Sequence, residues 1–231
     1  MQLPRLYKGK LIRRYKRFLA EVQLESAQTV TAYCPNTGSM SGCSDPGSTV
    51  YLSHHPKQSR KLKYTWEITQ TPDSLVGINT QLTNKIVQEG FELGTIPEFK
   101  NYDKLTPEVK TGDKTRIDFV LYSPSHASLF LEVKNCTLVE NQIAYFPDAV
   151  TSRGQKHLKK LSELRYSGYT SAVLFLVQRN DAQYFKPAAQ IDPQYSQYLA
   201  QAKNNGVQVL VYDVDINTKN IGINKSLNKI D

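Results

Sequence analysis

Residues 116–135 read RIDFVLYSPSHASLFLEVKN, two runs of alternating apolar and polar side chains separated by the polar segment SPSHA. Such alternation is typical of strands with one buried face, and a short polar segment between two of them predicts a β-hairpin. The expected apolar face comprises Ile117, Phe119, Leu121, Leu129, Leu131 and Val133. Pairing Leu121 with Leu129 makes the two apolar faces coincide along the whole hairpin, which predicts the register.

That register places two acidic side chains opposite each other. The Cβ atoms of Asp118 and Glu132 would lie about 5 Å apart, and carboxylates this close repel unless a cation lies between them or one takes up a proton. A divalent ion with oxygen ligands fits there and can keep water in its other positions. Lys134 emerges on the same face, where an ammonium can orient a water or neutralise charge on a phosphoryl oxygen. We therefore predict metal-assisted phosphodiester cleavage, with Asp118, Glu132 and Lys134 as catalytic residues and the two acids as metal ligands.

An ordinary surface hairpin with cross-strand ion pairs is the alternative. In the predicted register, however, Asp118 faces Glu132 and Arg116 faces Lys134, so like charges oppose each other and only the diagonals attract. A register inferred from sequence can slip by a residue. The metal site and the solvated face both stay open at this point.

The chain is basic, and the excess is concentrated near its start. The 231 residues carry a net charge of +8, and residues 1–80 hold 11 Lys and Arg against 5 Asp and Glu. This predicts that the first third of the chain contacts a polyanion. Three cysteines without a close pair fit reduced thiols, and the chain has neither a signal-peptide run nor eighteen consecutive apolar residues. We expect a cytoplasmic protein that does not bind a membrane.

Five short runs with strand character occupy residues 1–80. They are Gly9–Leu24, Thr29–Cys34, Ser48–Ser53, Lys61–Thr71 and Ser74–Ile78. Five antiparallel strands in so short a segment predict an OB-like β-barrel, the fold that binds oligonucleotides. Trp66 lies on an apolar stripe of the fourth run and is expected in the barrel core.

Basic and aromatic side chains of this barrel form the predicted nucleic-acid interface. Lys and Arg attract backbone phosphates, and bases stack on aromatic rings. The candidates are Arg13, Arg14, Tyr15, Arg17, Lys61 and Lys63. The alternative is that these charges only keep a small barrel soluble; their concentration favours phosphate contact.

Residues 81–231 alternate between helical and strand patterns, which predicts an α/β domain. The expected elements are a helix from Thr83 or Asn84 to Gly90, a strand at Leu105–Lys110, a turn at Thr111–Lys114, the hairpin, a helix from Asp148 or Thr151 to Gly168, a strand at Ala172–Val177, a helix from Pro193 to about Asn204 and a strand at Val207–Val214. The last strand, helix and strand require parallel pairing, so the sheet should be mixed.

This element order, with Asp on the second strand of a meander and Glu-x-Lys on the third, resembles the PD-(D/E)XK restriction-endonuclease-like superfamily. The resemblance implies metal ligation by Asp118 and Glu132 and catalysis by Lys134, although Ile117 replaces the proline of the name motif. It also suggests an acidic ligand on the first helix, for which Glu89 is the candidate and a solvated position the alternative.

The resemblance to this superfamily also implies two phosphate-binding candidates on the helix after the hairpin. Arg153 and Lys156 would contact the scissile phosphate, with surface solubility as the competing role. His157 is expected to be exposed or to cap the helix rather than to act as a base, because metal-bound water already supplies a nucleophile.

Nearly the whole chain is also similar to the bacterial sugar fermentation stimulation protein A family. The similar segments are PRLYKGKLIRRYKRFLA, CPNTGSM, RIDFVL, EVKN, FPDAVTSRGQKHL and QIDP. The resemblance implies an OB-like barrel followed by a nuclease-like domain, DNA binding without strong sequence preference, and a link to the regulation of sugar (maltose) metabolism.

The leading hypothesis is therefore a two-domain DNA-binding protein with a nuclease site that uses Mg²⁺ or Mn²⁺. A DNA-binding transcriptional cofactor that keeps the nuclease fold without cleavage is the rival, and an RNA-processing factor is a third option. The oligomeric state is not fixed by the sequence, and a dimer stays open.

Overall fold

The computed structural model describes residues 1–112 and 115–230; part of the predicted turn Thr111–Lys114, at residues 113 and 114, lies outside them. The first six strands are β1 (Leu6–Tyr15), β2 (Leu19–Leu24), β3 (Thr29–Tyr33), β4 (Thr49–His54), β5 (Tyr64–Gln70) and β6 (Leu75–Gly77). Strands β1 to β5 close into a barrel in the order β3-β2-β1-β4-β5, because β3 also pairs with β5, and β6 extends from β5. The predicted five-stranded, OB-like barrel is confirmed, and Trp66 lies in its core with 0% exposure.

The predicted strand Gly9–Leu24 is wrong, because the chain reverses inside it. β1 and β2 are the two arms of an antiparallel hairpin, and Lys16 and Arg17 at its turn have φ angles of 50° and 62°. The polar residues of this tight turn fit the alternation of apolar and polar side chains on either side. The sequence pattern therefore did not reveal that the chain reverses its direction there. The basic cluster consequently surrounds a turn instead of following one strand.

Besides 3-10 turns at Thr80–Leu82 and Pro97–Phe99, the described residues after β6 form three α-helices and ten strands. They are α1 (Thr83–Glu92), β7 (Lys104–Lys110), β8 (Arg116–Tyr122), β9 (Leu129–Cys136), β10 (Leu138–Glu140), β11 (Ile143–Phe146), α2 (Ser152–Tyr166), β12 (Thr170–Val177), β13 (Tyr184–Pro187), α3 (Pro193–Asn204), β14 (Gln208–Ile216), β15 (Ile221–Ser226) and β16 (Asn228–Lys229). The main sheet has the order β15-β14-β12-β9-β8-β7, and β10, β11, β13 and β16 form a smaller one. Because β9, β12 and β14 run parallel while β7, β8 and β15 pair antiparallel, the predicted mixed sheet is confirmed.

Helices cover both faces of the main sheet. Leu174 on β12 packs in the apolar cluster of Ile86 from α1, whereas the adjacent Phe175 packs with Leu158 from α2 and Leu199 from α3. This explains why residues Ala172–Val177 of β12 are all apolar, since a strand buried on both faces has no polar side. Helix α1 continues through Gly90, where it was expected to end, to Glu92.

The two halves touch at several points. Asp148, just before α2, accepts hydrogen bonds from Ser39 Oγ (3.2 Å) and the Met40 N–H (3.3 Å) of the barrel half. Leu3 packs in the core of the C-terminal half. The division at residue 80 stays a prediction, because the first residues of the chain pack beyond it. Across residues 1–112 and 115–230, no helix is long and apolar enough to span a membrane.

Candidate functional site

The central hairpin has the predicted register where its strands pair. Phe119 lies opposite Leu131, and the backbone pairing of the two strands ends at this pair. Beyond it, Asp118 Oδ2 accepts a hydrogen bond from the Val133 N–H at 2.8 Å. A side-chain carboxylate thus takes a position that a backbone carbonyl would occupy in a continued ladder. The strands β8 and β9 separate at Asp118.

The side-chain alternation of β8 also breaks at this residue. Phe119 packs in the cluster on the α1 face of the sheet, whereas Ile117 packs in the cluster on the α2 and α3 face. Regular alternation would place both on one face, so the prediction that they share a face is wrong. The irregularity gives Asp118 an environment that a regular strand would not provide.

Asp118 faces a groove at the N-terminal end of α1. Its Oδ1 accepts a hydrogen bond from Asn84 at 3.1 Å, and Asn84, Lys85 and Val133 line the groove beside it, which has a volume of about 660 Å³. Burial raises the pKa of Asp118, and the negative charge of Glu132 raises it further. The charge of Glu132 thus acts on the carboxyl group of Asp118, whereas the direct opposition of the two residues across the hairpin stays a prediction, because the ladder ends one pair earlier.

Glu132 is almost fully buried, with 3% exposure. Its Oε1 contacts Nδ1 of His157 and lies 2.5 Å from Lys134 Nζ, while its Oε2 has no hydrogen-bond partner in the part of the chain that the structure describes. Burial pushes the pKa of Glu132 upward, but the hydrogen bond from His157 and the charge of Lys134 outweigh it, so the pKa falls below its usual value. Glu132 is thus held ionised beside a second acid whose pKa is raised.

His157 belongs to this cluster, and the expectation that it would be exposed is wrong. It is buried, with Nδ1 directed at Glu132 and 3.3 Å from Lys134 Nζ. Leu161 and Leu164 follow it by four and seven residues, which is the spacing of one helix face. The spacing of these residues along the helix therefore already carried the signal that His157 is buried.

Tyr195 on α3 was missed altogether. Its hydroxyl is buried and, within the described ranges, has no hydrogen-bond partner. Burial raises the pKa of Tyr195, and the nearby charges of Glu132 and Asp192 raise it further. In sequence Tyr195 is indistinguishable from a core residue, since Leu199 and Ala202 complete its buried stripe.

The donors fit a hard cation of the magnesium type. No group of three or more His, Cys, Asp and Glu side chains converges anywhere in residues 1–112 and 115–230, but Mg²⁺ needs only one or two carboxylates and takes its other ligands from water and substrate phosphates. A buried carboxylate oxygen without a donor, such as Glu132 Oε2, is costly, and a cation would satisfy it. Asp118 and Glu132 are the residues that could hold it.

Two family models match the chain in succession. One, described as the SfsA N-terminal OB domain, matches residues 12–78, and the other, described as the sugar fermentation stimulation protein RE domain, matches residues 81–220. The chain belongs to the SfsA family.

Other members are similar over almost the whole chain. Sugar fermentation stimulation protein homologs are 46% identical over 228 residues in Geotalea uraniireducens (98% of both chains) and 47% in Geobacter sulfurreducens (98% of this chain, 97% of the relative). The solved structure of Pyrococcus furiosus SfsA, described in complex with Ca²⁺, is 24% identical with a TM-score of 0.90 and covers 100% of this chain and 98% of its own. That likeness concerns the fold alone and agrees with a barrel followed by an α/β domain.

In this SfsA-family chain the structure does not bring Glu89 to the acidic pair. Its carboxylate contacts the amino group of Met1 and lines a separate cavity with Asp215. Asn84, five residues earlier on α1, is the residue that reaches Asp118, and five residues rotate a helix by about 140°. The prediction that Glu89 is a metal ligand is therefore corrected: its carboxylate pairs with the N-terminal amino group.

Arg14 is also placed differently from the prediction. Its guanidinium donates hydrogen bonds to the carbonyls of Asn36 (2.9 Å), Gly38 (2.9 Å), Ser39 (3.2 Å) and Arg17 (3.0 Å). These bonds hold the loop after β3, which also contacts Asp148. The donors of Arg14 are engaged inside the protein, and its role is structural.

The other predicted nucleic-acid contacts lie at or near the surface. Arg13 pairs with Glu21 at 2.7 Å and lies over the ring of the half-buried Tyr15, and the remaining candidates are exposed: Arg17, Lys61, Lys63, Arg153 and Lys156. Arg153 precedes His157 by one helical turn and therefore lies on the side of α2 nearest Glu132. The structure leaves these cations accessible to a ligand.

Proposed function

We propose that this protein hydrolyses DNA phosphodiester bonds, with Mg²⁺ or Mn²⁺ held by Asp118 and Glu132. The observation that carries the proposal is the partnerless buried Oε2 of Glu132 beside a second carboxylate that faces an open groove. The large majority of buried side-chain polar atoms have a hydrogen-bond partner; Asp213 Oδ2 also lacks one among the described residues, but the charge that acts on Asp213 is that of Lys225 and not of a second acid. The Pyrococcus furiosus relative is described in complex with Ca²⁺, which supports binding of a divalent cation by this chain.

The surrounding residues would divide the work of the reaction. When bound, the ion lowers the pKa of a water ligand and stabilises charge on the phosphate. His157 holds Glu132 in place and ionised through Oε1, which directs the other oxygen to the cation. Lys134 Nζ, now 2.5 Å from Glu132, is within reach to orient the attacking water or to neutralise a phosphate oxygen.

DNA binding would be largely independent of sequence. The exposed Arg and Lys side chains of the barrel and of α2 suit phosphate contacts, which hold the polymer but carry no base information. We place this activity in the cytoplasm, in line with three free, buried cysteines. The family's name suggests that the function is linked to sugar utilisation.

Incubation of the purified chain with Mg²⁺ or Mn²⁺ and with single-stranded, duplex and supercoiled DNA tests the proposal. Cleavage should disappear with EDTA, with Asp118→Asn and with Lys134→Ala. Asp45→Asn, an exposed barrel position, makes the same charge change away from the site and should cleave as wild type does. Cleavage that survives Asp118→Asn would overturn the proposal.

A DNA-binding transcriptional cofactor without cleavage is the second candidate. One observation favours it: Lys134 and His157 both contact the same oxygen of Glu132. The negative charge of Glu132 is therefore already balanced by neighbouring side chains without a metal ion. Salt-dependent DNA binding without cleavage of any substrate, with either metal, would establish this alternative.

A further inference from the structure

The groove at Asp118 continues toward the barrel. A second cavity of about 340 Å³ lies between β5 and the start of α1, and Gln81 and Lys85 line both. Arg60 and Thr65 of the barrel form the opposite wall of this second cavity. The two cavities thus lie side by side, with Gln81 and Lys85 as their common wall between Asp118 and the barrel.

Two cations face these cavities with donors to spare. The ammonium group of the exposed Lys85 has no hydrogen bond or ion pair within the described residues. The guanidinium of Arg60 donates one hydrogen bond, from Nη2 to Thr65 Oγ1 at 2.6 Å. His55 also lines the cavity, but burial and the charge of Arg60 lower its pKa. Met1 lines the cavity too, but its amino group is paired with Glu89. The cationic side chains of the second cavity at neutral pH are therefore Arg60 and Lys85.

The acidic group of the same cavity is already satisfied. Glu67 accepts hydrogen bonds from Ser53 Oγ and Asn79 Nδ2, both at 2.6 Å, one on each carboxylate oxygen. The two cations are thus left without an anionic partner. They lie next to a groove that contains Asp118 and Glu108, where a phosphate would be repelled unless nearby cations held the polymer.

We propose that Arg60 and Lys85 each bind a backbone phosphate of the DNA strand whose adjoining part enters the groove at Asp118. The inference rests on the proposed function and gives the strand a path across the junction of the two halves. Lys61 and Lys63, exposed and next to Arg60 in the chain, extend that path over the barrel.

Anisotropy titrations of the full chain with fluorescein-labelled DNA, single-stranded and duplex, test the inference in EDTA. The variants are Arg60→Gln, Lys85→Gln and the double variant, and Lys100→Gln, an exposed lysine that lines neither cavity, is the control. Glutamine keeps a donor for Thr65 while removing the charge. Far-UV circular dichroism and thermal melting confirm folding of each variant.

The salt dependence of binding should become shallower. Each lost phosphate contact lowers the slope of log K against log salt by roughly 0.7–0.9, so the double variant should lose roughly 1.4–1.8, equally on unrelated sequences. A double variant that matches Lys100→Gln overturns the subsite and leaves the nuclease proposal intact. A wild-type chain that binds no DNA overturns both, whereas loss of cleavage by Asp118→Asn with an unchanged salt slope in the double variant overturns only the subsite.

Discussion

Among the described residues, the barrel and the α/β half each bury one glutamate, and the two differ in the partners of their carboxylate oxygens. Glu67 in the barrel has 5% exposure and a donor on each carboxylate oxygen. Glu132 in the sheet has 3% exposure, but its Oε2 has no donor in the described ranges. Two glutamates with similar burial can therefore have different roles. A carboxylate with a donor on each oxygen connects structural elements, whereas a carboxylate with one unbonded oxygen beside a second acid can still bind a cation.

Replacing each glutamate by glutamine should separate the two roles, and this is the largest effect we expect. Glu132→Gln removes a ligand charge and should reduce cleavage on the order of 10³-fold, or about 4 kcal/mol in the barrier. Glu67→Gln presents an NH₂ group to Ser53 or Asn79 and should lower the free energy of unfolding by about 1–3 kcal/mol. Cleavage assays and urea denaturation of both variants give the comparison, and equal losses in both assays would contradict it.

His157 should affect cleavage less than Glu132 does. It touches Glu132, so it acts as a positioning residue, and such partners of metal ligands typically contribute 10–100-fold. We expect a loss of roughly that size for His157→Asn, together with a higher Mg²⁺ concentration at half-maximal activity. The exposed His126→Asn is the matched control. An unchanged metal requirement would show that His157 does not position Glu132.

Two neighbouring arginines of the barrel should differ in stability. Arg14→Ala removes donors from four backbone carbonyls and should cost about 1–3 kcal/mol in unfolding free energy. Arg13→Ala breaks an ion pair in which Arg13 is 65% exposed, and such pairs contribute about 0–1 kcal/mol. Chemical denaturation measures both. An Arg14→Ala chain of normal stability whose DNA binding has a shallower salt slope would return Arg14 to the nucleic-acid interface.

These residues show what could be predicted from sequence and why the rest could not. The succession of strands and helices and the pairing of Phe119 with Leu131 follow from local periodicity, which a single sequence displays. Arg14 was misassigned because three of its four carbonyl partners lie 22–25 residues away, in a loop without periodic signal. His157 and Tyr195 occupy apolar helix stripes, and their proximity to Glu132 arises only when α2 and α3 pack on the sheet.

The smallest effect should come from Asp118 in the metal-free protein. Burial and Glu132 raise the pKa of Asp118 above its unfolded value, so the folded state holds the proton more tightly and the stabilisation present at low pH is lost as pH rises through the folded pKa. At neutral pH Asp118 is therefore an ionised group that opposes folding. Asp118→Asn in EDTA should melt higher than wild type at neutral pH, by roughly a few degrees, and the difference should shrink on acidification.

Adding Mg²⁺ should reverse this order. The ion binds the folded wild type and stabilises it by mass action, whereas the asparagine variant has lost one of its two carboxylate ligands and should gain less. Scanning calorimetry with and without Mg²⁺, across pH, measures the crossing, with Asp45→Asn as the control for the change in net charge. A variant that melts below wild type in EDTA would mean that Asp118 is a structural carboxylate, partnered through Val133 and Asn84, and its contrast with Glu67 would disappear.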